Sequence, residues 1–467
     1  MSTTTAAPAG RPDDRTTGPV FDLIILGAGP AGYVAAERAG AAGKKVLLVE
    51  REEHLGGVCL NWGCVPTKAL LACAKTYYQA SHGDSFGVTG TVSFDFTKAM
   101  ARKQKTQDSL RQGIKGLMKK FKVEVVRGEA KLTAKDTVTV GTTTYTAANI
   151  LVCTGSRPAK PPIPGLTLPH VCDSSAILEL TALPKRLVVI GGGVIGVEFA
   201  CFFASVGVAV EVVELLPEIT PGIDPDCAKT LRAELTAKGV TFHLGRKVAK
   251  VTAEAVHHTD AAGADEKSIA ADTVLVCIGR TPNTDNLGLE AAGIDVKNRL
   301  IQVDERCRTN VPGIYAAGDC ASRIMLAHVG SRMGEVAVRD MLGDKDRMRW
   351  NAIPGVIYTS PEVAGVGLTE AQAKEQGIAV TVASWNLAAN GRFLAEFSGK
   401  GLIKAILRKE DGVLLGVHGV GGGVSEQVAG WAAMIEAEFR LRELTELVFP
   451  HPTVSEALRD AAWTVAH

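Results

Sequence analysis

Nowhere in the 467 residues does an apolar run reach the roughly 18 to 20 residues that cross a bilayer, so no membrane span is expected. An excess of one charge is missing too. Lys+Arg number 51 and Asp+Glu 50, a formal charge of +1, so no global field draws the chain to nucleic acid or an anionic membrane, and neither is expected as a partner. The opening MSTTTAAPAGRPDDRTTGPV lacks the apolar core of a secretion signal. Asp13 and Asp14 argue against a transit peptide, although the Ser, Thr and Arg content resembles one weakly, so residues 1–20 read as a flexible tail on a cytoplasmic protein. Paired cysteines are scarce. Of ten, Cys73, Cys153, Cys172, Cys201, Cys227, Cys277, Cys307 and Cys320 show no paired spacing, and Cys153 and Cys277 sit in apolar runs as small buried residues. The composition, 46% hydrophobic and 22% charged, is that of a globular protein, and the length implies two to four domains.

What is present begins with GGVCLNWGCVPTK, Gly56 to Lys68, where Cys59 and Cys64 lie five residues apart. That spacing allows a structural disulfide, half of a metal site or a redox pair. In a reducing cytosol a structural disulfide is disfavoured, which leaves catalysis, redox sensing or metal. The other close Cys or His pair, His257 with His258, is adjacent rather than at ligand spacing.

An internal repeat supplies the next observation. FDLIILGAGPAGYVAAERAGAAGKKVLLVE (21–50) aligns without a gap on KRLVVIGGGVIGVEFACFFASVGVAVEVVE (185–214), at an offset of 164. Each copy runs from an apolar strand through G-x-G-x-x-G into helical spacing and a second apolar strand. The glycines are Gly27, Gly29, Gly32 and Gly191, Gly193, Gly196, and the closing acids are Glu50 and Glu214. In such a unit the first glycine permits a tight turn, the second lets a pyrophosphate approach the backbone, and the third lets helix and strand pack closely. Phosphate sits on the free amides of the helix N-terminus, and the acid accepts from ribose hydroxyls. A lone fingerprint is weak; two copies in the same context point to two dinucleotide sites. Glu214 would repel a 2′-phosphate, which favours NAD at the second site, and the nearby cysteine pair suggests FAD at the first.

NILVCTGSRPAKPPIPG (149–165) and DTVLVCIGRTPNTDNLGLE (272–290) each follow an apolar strand with a glycine, and the first continues as a Pro-rich passage between domains. GIYAAGDCA (313–321) sets Asp319 after another apolar run, where it could hold a polyol or cap a helix.

GGVCLNWGCVPTK, GAGPAG, GGGVIGVE, IGRTPNT, YAAGDC and the late HPTVSE together resemble the motifs of the pyridine nucleotide-disulfide oxidoreductases, from about Phe21 to Asp460. Within that family the resemblance is to the dihydrolipoamide dehydrogenases. It implies an α/β fold of two Rossmann-like dinucleotide-binding domains plus a C-terminal α+β dimerisation domain. The FAD-binding domain would span 21–155 and 285–350, the NAD-binding domain 156–284 and the dimerisation domain 351–467. The implied activity is FAD-dependent oxidation of dihydrolipoamide through a Cys59–Cys64 redox disulfide, with hydride passed to NAD and no metal. Cys59 would exchange with the substrate thiol and Cys64 contact the flavin. Cys64 precedes a helix-prone run, whose dipole would lower its pKa, while Cys59 would sit in a Gly-rich loop more open to substrate. His451, oriented by Glu456, would be the base and would act in a homodimer on the partner subunit's cysteines.

Lys68 would pair with Glu198 beside the flavin, although each alone reads as a solvated helix charge. Thr154, Gly155 and Ser156, with Ala130 and Met325, Leu326, Ala327 and His328, match FAD contacts; Val248 and Gly279 match NAD contacts. Asp319 falls on the family's acid at the FAD. Any lipoyl group would come from a partner protein of a 2-oxo acid dehydrogenase or glycine cleavage complex, since no lipoyl-type domain precedes Phe21.

Three positions depart from the commonest pattern: Phe449 replaces a second histidine, Trp62 a smaller aliphatic residue, and Thr67 a serine. The alternative is an NAD(P)H-dependent reductase of another low-molecular-weight disulfide. Against glutathione stand Glu37, where an arginine would be expected, and Glu214 followed by Leu215 and Leu216. Against mercuric reduction stands the lack of a cysteine pair after Cys320.

Overall fold

The computed structural model describes residues 20–397 and 399–466, so the tail expected over 1–20 lies, apart from Val20, outside the described residues. The chain divides into two compact units.

The first comprises residues up to 57, 114–155 and 282–347. Its sheet is built on β1 (Val20–Leu26), followed by helix α1 (Pro30–Ala41) and strand β2 (Val46–Glu50). Every residue of β2 is buried, the signature of a parallel strand covered on both faces. Across the sheet the order is 124–127, β2, β1, 143–152, 137–140, 130–134, and Ile314–Ala316 adds to the 143–152 strand. The first four strands and Ile314–Ala316 are parallel; the remaining pairings are antiparallel. Helix Ala327–Met341 lies on α1, and small residues set the separation: a Cβ at Gly334 would stand 2.4 Å from the Ala31 carbonyl oxygen.

The second unit comprises 58–113, 156–281 and residues from 348 onward. The cysteine segment forms a short helix α2 (Gly57–Trp62) and then α3 (Cys64–Ser81), followed by the long α4 (Phe96–Lys120). Strand β3 (Arg186–Ile190), helix α5 (Val194–Ser205) and strand β4 (Ala209–Val213) repeat the fingerprint unit, and α6 (Pro225–Ala237) follows. Five parallel strands run in the order 240–243, β4, β3, 273–276, 171–173. A separate five-stranded antiparallel sheet, ordered 355–357, 362–367, 414–421, 402–408, 380–386, carries helices Val424–Glu436 and Glu456–Trp463. Phe199, Phe202 and Phe203 of α5 anchor one apolar core with Leu70, Leu71 and Ala74 of α3. Because α5 is apolar on nearly all sides, it is buried from Gly196 to Phe203 and packs against α3. The α/β class with two Rossmann-like sheets and a C-terminal α+β part is the architecture that forms.

Candidate active site

The two fingerprints fold almost identically. Pro30 and Val194 open their helices and Ala41 and Ser205 close them, each pair at the offset of 164. Gly27 has φ +102° and Gly191 φ +106°, conformations that only glycine adopts without strain. A Cβ on Gly32 would lie 1.9 Å from the Gly27 oxygen, and one on Gly196 2.0 Å from the Gly191 oxygen, so each helix start rests on its own turn. Gly29 and Gly193 are the helix N-caps, and no side chain caps either helix, leaving first-turn amides open to an anion. Each acid steadies its loop: Glu50 accepts from the Ala28 amide at 2.8 Å, and Glu214 from the Gly192 amide at 2.6 Å. The other carboxylate oxygens take the Glu52 and Leu216 amides at 3.0 and 2.8 Å. Beside Glu50 opens a cavity of about 380 Å³ lined by Leu55, Met118, Val125 and Val126. An uncapped helix end, a held carboxylate and an apolar slot beside it fit the phosphate, ribose and adenine of a dinucleotide at the first fingerprint, and the second shares the uncapped helix end and the held carboxylate.

In the cysteine segment both sulfurs are free thiols, Cys59 half-buried and Cys64 exposed. The Cys59 thiol hydrogen-bonds to the Cys64 sulfur, which holds Cys64 down to about 7 against the cost of burial; Lys68, one turn along α3, adds to the lowering. Cys59 is pushed well up, by donating that bond and by burial. Cys64 is the first residue of α3, as the helix-prone run implied, and the neighbouring Cys59 thiol is the largest cause of its lowered pKa. The loop expected around Cys59 is instead a helical turn, and Cys59 is the less exposed residue of the pair. Gly63 makes the pivot between the helices at φ −145°, ψ −112°. Thr67 uses its hydroxyl to donate to the Gly63 oxygen at 2.7 Å.

Lys68 and Glu198, 130 residues apart, come together. Nζ donates to both carboxylate oxygens at 2.9 and 2.7 Å, and the Glu198 side chain is only 4% exposed. The Tyr358 amide donates to the same carboxylate at 2.9 Å while the Tyr358 ring lies 4.8 Å from Nζ. Sequence reasoning missed Tyr358, and nothing in IYTSPEV marks it, because its contacts are a backbone amide and a ring face.

His451 Nδ1 lies 3.0 and 3.2 Å from the two oxygens of Glu456, which also accepts from the Thr453 amide at 2.9 Å. Burial works against the Glu456 carboxylate, but the Thr453 amide and His451 hold its pKa below the ordinary value. A carboxylate only accepts, so Nδ1 is the donor to Glu456, and in a neutral imidazole that leaves the lone pair on Nε2. The imidazole is 79% exposed.

The chain matches the family model for pyridine nucleotide-disulphide oxidoreductases over residues 21–334, and that family's dimerisation domain over 353–462. It is 41% identical to the dihydrolipoyl dehydrogenase of Geobacillus stearothermophilus over 94% of this chain and 95% of that one. The dihydrolipoyl dehydrogenase of Rhizobium etli is 39% identical over 94% and 97%. Among solved structures, the Cu(II) complex of the HOCl-induced flavoprotein disulfide reductase RclA from Escherichia coli superposes with a TM-score of 0.86. That protein is 29% identical, with 96% of this chain and 100% of that one covered. The chain belongs to the pyridine nucleotide-disulphide oxidoreductase family.

It is accordingly a flavoprotein oxidoreductase that uses FAD and NAD. The remaining positions singled out for this family fall as follows. Thr154 donates to the Asn283 carbonyl at 2.6 Å, and Asn283 returns bonds to the Thr154 and Gly155 carbonyls at 2.9 Å each. Ser156 accepts from Arg280 at 2.7 Å. Asn283 and Arg280 were not foreseen, although both lie in the quoted IGRTPNT. Asp319 sits in the turn after Ile314–Ala316; it does not cap the next helix, whose N-cap is Leu326, so Met325, Leu326, Ala327 and His328 form that helix start. Ala130 opens an edge strand, and Gly279 has φ +111° just beyond strand 273–276. Val248 is buried in the core and pairs with His258, and the strand register breaks between Val248 and Lys250.

Proposed function

We propose that Cys59, Cys64, Lys68, Glu198, His451 and Glu456 carry the dihydrolipoyl dehydrogenase activity of this chain, which passes two electrons from a dihydrolipoyl group to NAD. The observation that carries the assignment is the Cys59 thiol hydrogen-bonded to a Cys64 sulfur at the start of α3.

With the pair closed as a disulfide, a substrate thiolate attacks the Cys59 sulfur. The Cys59–Cys64 bond breaks and Cys64 departs as a thiolate, the better leaving group because its pKa is the lower of the two. Nε2 of His451 takes the proton of the second substrate thiol, which attacks the substrate sulfur in the mixed disulfide. Lipoamide leaves with its ring closed, and Cys59 regains a proton from His451. Lys68, fixed by Glu198, sets a positive charge one turn from Cys64 and favours its thiolate. Bound FAD supplies the two-electron chemistry that joins this dithiol to the nicotinamide. Gly27, Gly29, Gly32, Glu50, Thr154, Gly155, Ser156, Ala130, Asp319 and 325–328 would hold it, and Gly191, Gly193, Gly196, Glu214, Val248 and Gly279 would hold NAD.

The division into an FAD-binding domain (21–155 and 285–350), an NAD-binding domain (156–284) and a dimerisation domain (351–467) belongs to the same reading. So does a homodimer in which His451 serves the cysteine pair of a second copy; the exposure of its imidazole and the dimerisation-domain match support it. The lipoyl donor would be a protein of a 2-oxo acid dehydrogenase or glycine cleavage complex. Ten free cysteines suit the reducing cytoplasm to which we assign the enzyme. The test is Cys64→Ser: FAD stays bound and NADH formation from dihydrolipoamide stops, whereas retained turnover would sink the redox-pair assignment.

A further inference from the structure

Between the two cysteines lies Asn61, only 1% exposed, and α4 reaches it with two side chains. A helix leaves its last four carbonyls without intrahelical partners, and α2 is only six residues long. Two of those carbonyls, Leu60 and Asn61, accept from the same Nε2 of Gln107 at 3.3 and 2.8 Å. Gln107 is itself 1% exposed. One turn further along α4, Arg111 Nε donates to Asn61 Oδ1 at 2.8 Å, and its Nη1 is steadied by Asp108 at 3.0 Å.

We propose that Gln107 and Arg111 are positioning residues for the redox pair: by capping the C-terminus of α2 they stop that helix at Trp62 and hold Cys59 against Cys64. The inference rests on the assignment of that pair as the redox centre. Three facts carry it. Both side chains act on the short turn that bears Cys59. The Leu60 and Asn61 carbonyls at the end of α2, just before the helix stops at Trp62, are engaged from α4. The pivot that follows leaves little slack, since a Cβ on Gly63 would meet the Val58 oxygen at 3.0 Å. Loss of the cap frees Cys59 to move, and the chance of two thiols meeting falls with the freedom of either.

Gln107→Leu keeps the volume and removes both donors. The reaction to measure is exchange with glutathione: two protein thiols and one glutathione disulfide give the Cys59–Cys64 disulfide and two glutathiones. It is followed on the FAD-loaded protein by alkylation and mass spectrometry. The equilibrium constant for closing the disulfide should fall about tenfold in Gln107→Leu, because a less restrained Cys59 meets Cys64 less often. The alkylation midpoint of Cys64 should rise as its donor moves away. Arg111→Met should shift both readouts in the same direction, and Arg111→Lys should restore part of each. A cap that serves stability alone would lower the melting temperature of Gln107→Leu and leave both thiol readouts at wild-type values; that result overturns the proposal. If wild-type Cys59 and Cys64 form no disulfide with each other, the redox assignment itself fails, and this outcome is distinct. Should Gln107→Leu not fold, the Arg111 variants give the same two readouts.

Discussion

Replacing Lys68 with Met keeps the length of the side chain and removes its charge. Glu198 would then keep its carboxylate inside the fold at 4% exposure with the Tyr358 amide as its remaining bond on the face that Lys68 occupied. Removing one partner of a fully buried pair costs about 3 to 5 kcal/mol. The Lys68 side chain is 32% exposed, and water already screens part of the attraction, so the expected loss is about 2 kcal/mol. Glu198→Gln keeps an acceptor for the amide and should cost about 1 kcal/mol. The assay is urea unfolding of the FAD-loaded protein for wild type, both single variants and the double variant. Because the two side chains share one interaction, the double variant should lose less than the two single losses added together. Additivity within about 0.5 kcal/mol would refute the reasoning, since uncoupled residues behave that way. Lys68→Met should also raise the Cys64 alkylation midpoint, because its charge favours that thiolate.

Three further outcomes follow. Cys64 has a depressed pKa of about 7, so its iodoacetamide reactivity should be low at pH 6, half-maximal near pH 7 and level by pH 8; a midpoint near 9 would mean that the Cys59 thiol does not support it. Gly196→Ala forces a Cβ to 2.0 Å from a backbone oxygen and should lower stability by about 1 to 3 kcal/mol, whereas Gly193→Ala meets nothing within 4 Å and should keep wild-type stability while weakening NAD at the pyrophosphate, read by denaturation and calorimetric titration. Lys404, buried with ion pairs to Asp224, Asp226 and Glu370, holds a fully buried Asp224; Lys404→Met should cost about 3 to 5 kcal/mol in urea unfolding, and a loss under 1 would contradict it.

The repeat was the most legible part of the fold. Two strands, a helix and three glycines recur at a fixed offset because each glycine answers a local steric demand, and local demands are written in local sequence. The cysteine pair was legible for the same reason, five residues being short enough for spacing to carry meaning. Lys68 and Glu198 were not legible from spacing: a lysine on one helix and a glutamate 130 residues later look like two solvated charges, and only the family resemblance joined them. Gln107 and Arg111 were invisible because a polar residue on an exposed-looking helix gives no sign that a carbonyl 46 residues upstream needs a donor. The sequence also misread Cys59. A stretch opened by two glycines suggested a loop, yet α2 forms there, its terminal carbonyls satisfied from outside the segment.

Dihydrolipoyl dehydrogenase activity is read from the initial rate of NADH formation when the purified, FAD-loaded protein meets dihydrolipoamide and NAD⁺, followed at the nicotinamide absorbance. A turnover of many per second, carried by Cys59 and Cys64, is expected. A negligible rate from a flavin-loaded dimer would contradict it and move the substrate to another disulfide, with Trp62 and Phe449 the first residues to replace.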